Sequence, residues 1–342
     1  MPRKVAVLGM GRWGRTWCRV LDGEPDVEVA AVAVRSGVTA VDRPNVHVFH
    51  DLGAALDVEG LDAAIVTLPV GLHLDAIRAA VARGIPVLCE KPAVATRAEL
   101  AELEELASSE GAVVRINQNY RLRPWATAVC AHLPSIGRLR RVEVAFAQPE
   151  FPEGGRDRLA HPLLADMAIH HVDLLRHLTG REATVLRASA ARRPDTSYAG
   201  STDLEAELLL DGGAEVAYDG TWAARDATTP WDGDWAFFGD RGTLAVRDLA
   251  VDVDTRDGSR RVATTHPPDR DDDLAVAWRD FARAIDGDGA AGVTAGDNAR
   301  SLALVFDLAE AAGIPDPSAA LTPSPSSGHG SLGAEGRETS SR

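Results

Sequence analysis

Five residue groups in this chain are typed and spaced for chemistry: Gly9-Met10-Gly11-Arg12-Trp13-Gly14, Val34-Arg35-Ser36, Thr67-Leu68-Pro69 with His73, Cys89-Glu90-Lys91-Pro92, and the series Asp166, His170, Asp173, His177. The first follows four apolar residues, Val5 to Leu8, and precedes an apolar-periodic run through Trp17, Val20 and Leu21. A strand, tight turn and helix start of this kind cradle the pyrophosphate of a dinucleotide. Gly9 permits the turn, Gly11 lets the backbone approach the phosphates, and Gly14 lets the helix lie against the strand. Free N–H groups and the partial positive charge of the helix N-terminus then face the anion, so a nicotinamide cofactor is the first candidate ligand.

The second group bears on which nicotinamide. An acidic side chain at the end of the second strand would bind the ribose hydroxyls of NAD. Here Arg35 can pair with a 2′-phosphate and stack on adenine while Ser36 donates to the same phosphate, which favours NADP over NAD. Thr67 and Pro69 close a third strand, and His73 opens the helix beyond it, where ligands sit in open α/β sheets. Lys91 is delivered directly after a buried strand at the same edge, within reach of the nicotinamide end of a cleft. Glu90 supplies a counter-charge, and Pro92 is placed to fix the turn through a cis bond.

The fifth group lies on an expected helix over 163–178. Asp166, His170, Asp173 and His177 are four, three and four residues apart and share one face, with Leu164, Met167, Val172, Leu174, Leu175 and Leu178 on the others. Lys and Glu would be expected on a merely solvated face. The two carboxylates either pair with the neighbouring histidines alone or form part of a reacting set.

The elements that must position these groups read as two architectures. Short apolar strands alternate with helices through the first third: Val5 to Leu8, Val27 to Val34, Ala63 to Leu68, Pro86 to Cys89 and Ala112 to Gln118, with helices over 72–83 and 97–109. This is the pattern of a doubly wound parallel sheet covered on both faces. Looser alternation follows at 141–147, 185–191, 204–210, 215–221 and 243–247, with Asp211-Gly212-Gly213 as a hairpin turn. The expected division is a dinucleotide-binding Rossmann domain over 1–119, an α+β substrate and oligomerisation domain over 120–314, and a Pro/Ser/Gly-rich disordered tail over 315–342.

Composition sets limits on partners. At 342 residues with a net charge of −15, the surface repels phosphate backbones, which argues against nucleic acid and anionic membranes. No apolar run approaches the roughly 20 residues of a membrane span, and Met1-Pro2-Arg3-Lys4 leads directly into a strand without a signal-peptide core. Cys18, Cys89 and Cys130 are too few and too scattered for a disulfide framework, so the cytoplasm is the expected compartment. No third cluster accompanies the Asp/His series with metal-ligand spacing, and no metal is expected.

Taken in order, the Gly9, Gly11, Gly14 turn, Pro69 with His73, Glu90-Lys91-Pro92, Asn119-Tyr120-Arg121 and the run Asp166 to Asp173 resemble the glucose-fructose oxidoreductase, inositol dehydrogenase and MocA-like (Gfo/Idh/MocA) oxidoreductases, over about residues 3 to 312. The resemblance implies a second domain whose open, mostly antiparallel sheet faces the cofactor cleft and often pairs two subunits, hence a homo-oligomer. It implies hydride transfer between a nicotinamide and a secondary alcohol or ketone of a sugar, sugar derivative or cyclitol, with Lys91, Asp166 and His170 as the catalytic set. Either Lys91 or His170 is the proton acceptor, and Asp166 orients the imidazole. The implied cofactor contacts are Gly9, Gly11, Arg12, Trp13, Gly14, Arg35, Ser36, Thr67, Pro69, His73, Glu90, Lys91, Pro92 and Asn119. Ala168 stands where the family commonly has glycine, so the substrate pocket is not transferable in detail. Trp222, Trp231 and Trp235 beside Asp226, Asp232 and Asp234 suit a polyol or a packed core. An NAD-dependent glycosidase that recycles its cofactor, and a cofactor-binding regulator without catalysis, are the competing activities.

Overall fold

The computed structural model describes residues 2–34, 46–151, 159–264 and 270–314. Arg35, Ser36 and the tail over 315–342 lie outside the described residues. The first sheet collects β1 (Arg3–Leu8), β2 (Val27–Ala33), β3 (His47–Phe49), β4 (Leu61–Val66), β5 (Val87–Cys89) and β6 (Val114–Ile116), with the late strand β15 (Val293–Thr294) added at its edge. Its order is β15-β6-β5-β4-β1-β2-β3. All pairings are parallel except β15 against β6. Helices α1 (Arg12–Asp22), α2 (Leu52–Leu56), α3 (His73–Val81) and α4 (Arg97–Ala107) connect the strands. Val5, Ala6, Val7 and Leu8 are all 0% exposed, which is why β1 reads as a continuous apolar run rather than an alternation. α4 starts where it does because Thr96 and Glu99 form a reciprocal capping box.

The second sheet has the order β14-β13-β12-β11-β7-β10-β9-β8. Its strands are β7 (Leu139–Ala147), β8 (Ala183–Ala191), β9 (Asp203–Leu210), β10 (Glu215–Thr221), β11 (Asp234–Gly239), β12 (Gly242–Arg247), β13 (Ala250–Thr255) and β14 (Gly258–Thr264). Only β7 and β10 pair in parallel; the other neighbours are antiparallel. Strands β11, β13 and β14 escaped the sequence reading, β14 because its residues are largely exposed and β11 because Trp235, Ala236 and Phe237 are all buried and do not alternate. α5 (Pro124–His132) covers β12 to β14, and α8 (Ala295–Ala311) covers β8.

Two helices bring the sheets together at the cleft. A π-helical turn, Leu163–Ala168, runs directly into α6 (Ile169–Thr179). α7 (Arg270–Ile285) leaves the second sheet and returns to the first, where Leu274, Ala277, Trp278 and Phe281 share a core with Val5, Val7 and Trp17. No helix among the described residues is long and apolar enough to cross a membrane.

Candidate active site

A cleft of about 780 Å³ opens between the carboxyl ends of β1 and β5 and the inner face of the second sheet. Arg12, Trp13, Glu90, Lys91 and Asn119 line it from the first side, and Tyr120, Arg123, Asp166 and His170 line its middle. Phe151, Trp222, Trp231, Asp232, Asp234, Asp248 and Leu249 line it from the second.

The glycine turn is built for close contacts of two kinds. Gly9 has φ +108° and sits against the Thr67 backbone, while Thr67 Oγ1 donates to the Gly9 carbonyl at 2.8 Å. A Cβ on Gly14 would run into the Gly9 carbonyl oxygen. Gly11 is different, because a Cβ there would meet no protein atom within 4 Å and its φ is −69°. Nothing in the chain itself demands glycine at that position. Gly11 is also the N-cap of α1 and offers no side-chain cap to the first turn of the helix. Both features fit a bound pyrophosphate.

His73 and Pro92 brace this edge. His73 is buried, with Nδ1 3.0 Å from the Pro92 carbonyl and Nε2 2.7 Å from the Leu68 carbonyl. Burial pushes its pKa down, and the neutral ring donates its one N–H to one of the two carbonyls. The Lys91–Pro92 bond is cis. Glu90 is buried and accepts from Trp17 Nε1 and Asn117 Nδ2, both at 2.8 Å, which ties α1 to β6 beneath the cleft. Burial raises its pKa.

Lys91 turns toward the second sheet. Its Nζ donates to Asp166 Oδ1 at 2.6 Å and to the Asp166 backbone carbonyl at 2.8 Å. The widened π-helical turn is what admits a side-chain donor to a helix carbonyl. His170, one turn on, is 4% exposed. Burial and the Lys91 charge hold its pKa well below the ordinary imidazole value, so the ring is neutral near pH 7. Asp166 Oδ1 accepts from Lys91, and the His170 imidazole stacks on Tyr120 with ring centroids 4.0 Å apart.

The four-residue stripe splits for the same reason. Asp173 is 1% exposed and accepts from Arg121 Nε and Nη2, each at 2.6 Å, and from Ser301 Oγ at 2.7 Å. His177 is exposed. Neither lines the cleft, because the helix winds wider through 163–168 and packs under α8 from Asp173 onward.

On the side of the second sheet, Trp222 and Trp231 meet edge to face at 5.8 Å and Phe151 meets Trp231 at 6.3 Å, forming an aromatic wall. His171 holds that wall in place: Nδ1 lies 2.9 Å from Tyr218 Oη and Nε2 3.3 Å from the Trp231 carbonyl. Trp235 is core, 0% exposed, with Nε1 on the Asp232 carbonyl. Asp248 and Leu249 form the β12–β13 turn at the rim, both with positive φ. Among the described residues no group of three or more His, Cys, Asp or Glu side chains could hold a metal ion. Tyr120 and Arg123 are the participants that sequence reasoning passed over; the Asn119-Tyr120-Arg121 motif marked the place without showing what the ring touches.

A Rossmann sheet with an uncapped glycine turn, facing a lysine, a carboxylate and an imidazole across one cleft, defines the class of nicotinamide-dependent oxidoreductases. Family models agree on both halves: "Oxidoreductase family, NAD-binding Rossmann fold" matches residues 3–118, and "GFO/IDH/MocA C-terminal domain" matches 134–245. The chain belongs to the Gfo/Idh/MocA oxidoreductase family. It is 25% identical to an inositol 2-dehydrogenase of Rhizobium meliloti, over 76% of this chain and 81% of that protein. It is 30% identical to an inositol 2-dehydrogenase of Streptomyces avermitilis, over 61% and 66% respectively. A solved oxidoreductase from Agrobacterium radiobacter, in complex with NAD+, L-tartaric acid and magnesium, shares the fold with a TM-score of 0.81, covering 93% of this chain and 99% of that one at 19% identity.

Proposed function

We propose that the enzyme transfers a hydride between NADP and a secondary alcohol or ketone of a neutral polyol: a sugar, a sugar derivative or a cyclitol. The observation that carries this reading is the convergence of Lys91, Asp166 and His170 in one cleft, with the glycine turn at one end and the aromatic wall at the other. When bound, the nicotinamide supplies the hydride acceptor or donor.

The chain's own groups divide the remaining work. Lys91, held by Asp166, donates to the reacting oxygen and stabilises the negative charge that develops there. His170, kept neutral, accepts the hydroxyl proton in oxidation and returns it in reduction. Trp222, Trp231 and Phe151 offer faces to the C–H side of a ring, while Asp234 and Asp248 accept from its hydroxyls. The relatives named as inositol dehydrogenases support a substrate of this kind. The NADP preference rests on Arg35 and Ser36 at the end of the second strand. We place the enzyme in the cytoplasm, and we propose a homo-oligomer through the bare outer face of the second sheet, which sedimentation velocity would test.

Reduced-nicotinamide absorbance with NADP and NAD, across inositols, aldoses, ketoses and uronates, tests the reading, with Lys91→Ala as control. Turnover on a neutral polyol that the control loses is expected, with kcat/KM higher for NADP. Turnover equal in parent and control would remove Lys91 from the chemistry. A preference for NAD would remove the role given to Arg35.

A further inference from the structure

His170 carries an oddity for a ring in a reacting set: its Nδ1 is fully buried and has no hydrogen-bond partner among the described residues. An imidazole that works as a base is ordinarily aimed by an acceptor on its second nitrogen. Here something else must fix the plane of the ring. The Tyr120 ring lies parallel to it, 9° from coplanar with centroids 4.0 Å apart. On Tyr120, in turn, sits the Arg123 guanidinium, with Cζ 3.7 Å from the ring centroid.

Arg123 is itself anchored from both halves of the molecule. It pairs with Asp232, from the connection between β10 and β11, and its Nε donates to Asp273 Oδ2 on α7 at 3.1 Å. Asn119 Nδ2 adds a second donor to Asp273 at 3.2 Å. All three charged groups are buried, at 9% for Arg123, 2% for Asp232 and 4% for Asp273. A guanidinium gripped on two sides has little freedom to slide, so the phenol beneath it and the imidazole beneath that are held in register.

We infer that Tyr120 is the positioning residue for His170, replacing the missing Nδ1 acceptor by a stacked face, and that Arg123, clamped between Asp232 and Asp273, holds Tyr120 in place. The role rests on the hydride-transfer reading for its catalytic consequence, but the contact can be read without any substrate. The phenol hydroxyl is not needed for it; the flat ring is. This separates a stack from a hydrogen bond or an acid/base role at Tyr120.

The test uses the full chain with 13C-labelled histidine and follows the imidazole C–H signals by NMR, assigning His170 by the signal missing in His170→Gln. A ring stacked this closely shifts the His170 protons upfield. The shift is expected in the parent, retained in Tyr120→Phe and lost in Tyr120→Leu. In steady-state assays, kcat should fall on the order of 10²-fold in Tyr120→Leu, with KM little changed, and Tyr120→Phe should recover most of it. A His170 signal without upfield displacement in the parent overturns the proposal even if Tyr120→Leu fails to fold. So does a Tyr120→Phe enzyme as slow as Tyr120→Leu. Absence of turnover by the parent on every polyol would overturn the hydride-transfer reading alone, and the NMR comparison would still decide whether Tyr120 holds His170.

Discussion

Lys91, Asp166 and His170 have separate environments, and the proposed division of roles follows from them. Lys91 has its ammonium on two oxygens of Asp166, which suits a donor aimed at the reacting oxygen. Its replacement by Met, which keeps the stem but removes the charge, should lower kcat by about 10²–10⁴-fold, the range for a lost acid/base or charge-stabilising group. Cofactor affinity, read by nicotinamide fluorescence titration, should stay within about threefold, since Lys91 contributes little to the pyrophosphate end. The base can be assigned from pH. A base works only when deprotonated, and burial and the Lys91 charge hold the His170 pKa well below 6.5. In the oxidative direction kcat/KM should therefore stay flat as pH falls to 6.5 and drop only below it. A limb centred above pH 7 would transfer the role to Lys91.

At the scale of elements, the glycine turn and the π-helical turn are the two devices that make the cleft. Gly14 and Gly11 serve different masters, and substitution should show it. Gly14→Ala drives a Cβ into the Gly9 carbonyl oxygen and should destabilise the fold by about 2 kcal/mol or more, seen as a lower urea midpoint. Gly11→Ala meets nothing in the protein, so its midpoint should hold while affinity for NADP and NAD falls roughly tenfold or more, about 1.4 kcal/mol. A Gly11→Ala protein that binds as the parent does would mean that the phosphates do not approach this backbone. The helix expected over 163–178 was legible as a helix with a polar face. Its wider first turn was not, since nothing in the spacing of apolar residues separates a π turn from an α turn. That turn decides that Asp166 meets Lys91 while Asp173 goes to Arg121.

For the whole molecule the buried histidines set the acid limit. His171 is buried between Tyr218 and Trp231, and burial lowers its pKa from 6.5 to about 4. Above pH 6.5 the ring is neutral in both folded and unfolded chains and contributes no pH dependence. Between 6.5 and about 4 the unfolded chain binds a proton that the folded one does not, so stability falls as pH falls, by about 3 kcal/mol once pH is below 4. His73 and His170 are lowered by burial too and act in the same direction. Asp297 is lowered too, because Arg121, Arg300 and Arg176 outweigh its burial, so its contribution is present above pH 3.8 and is lost only below that. Urea midpoints should therefore decline between pH 7 and 5, and His171→Gln should flatten the slope. A midpoint constant over that interval would show that these rings accept protons in the folded state.

The doubly wound sheet, the glycine turn after β1 and the place of Lys91 after β5 were legible in the chain alone. Strands buried on both faces must be continuous apolar runs, and a turn of glycines between strand and helix is a local demand of the backbone. The strands expected at 204–210 and 215–221 were legible as well, through a looser alternation that one covered face imposes. What the tertiary structure decided was partnership. Lys91 pairs with a residue 75 positions away, and Arg123 with carboxylates from the β10–β11 connection and from α7. Periodicity gives the face on which a side chain lies but not what packs against it, so the Tyr120 stack on His170 and the burial of Asp173 emerged only when distant segments met.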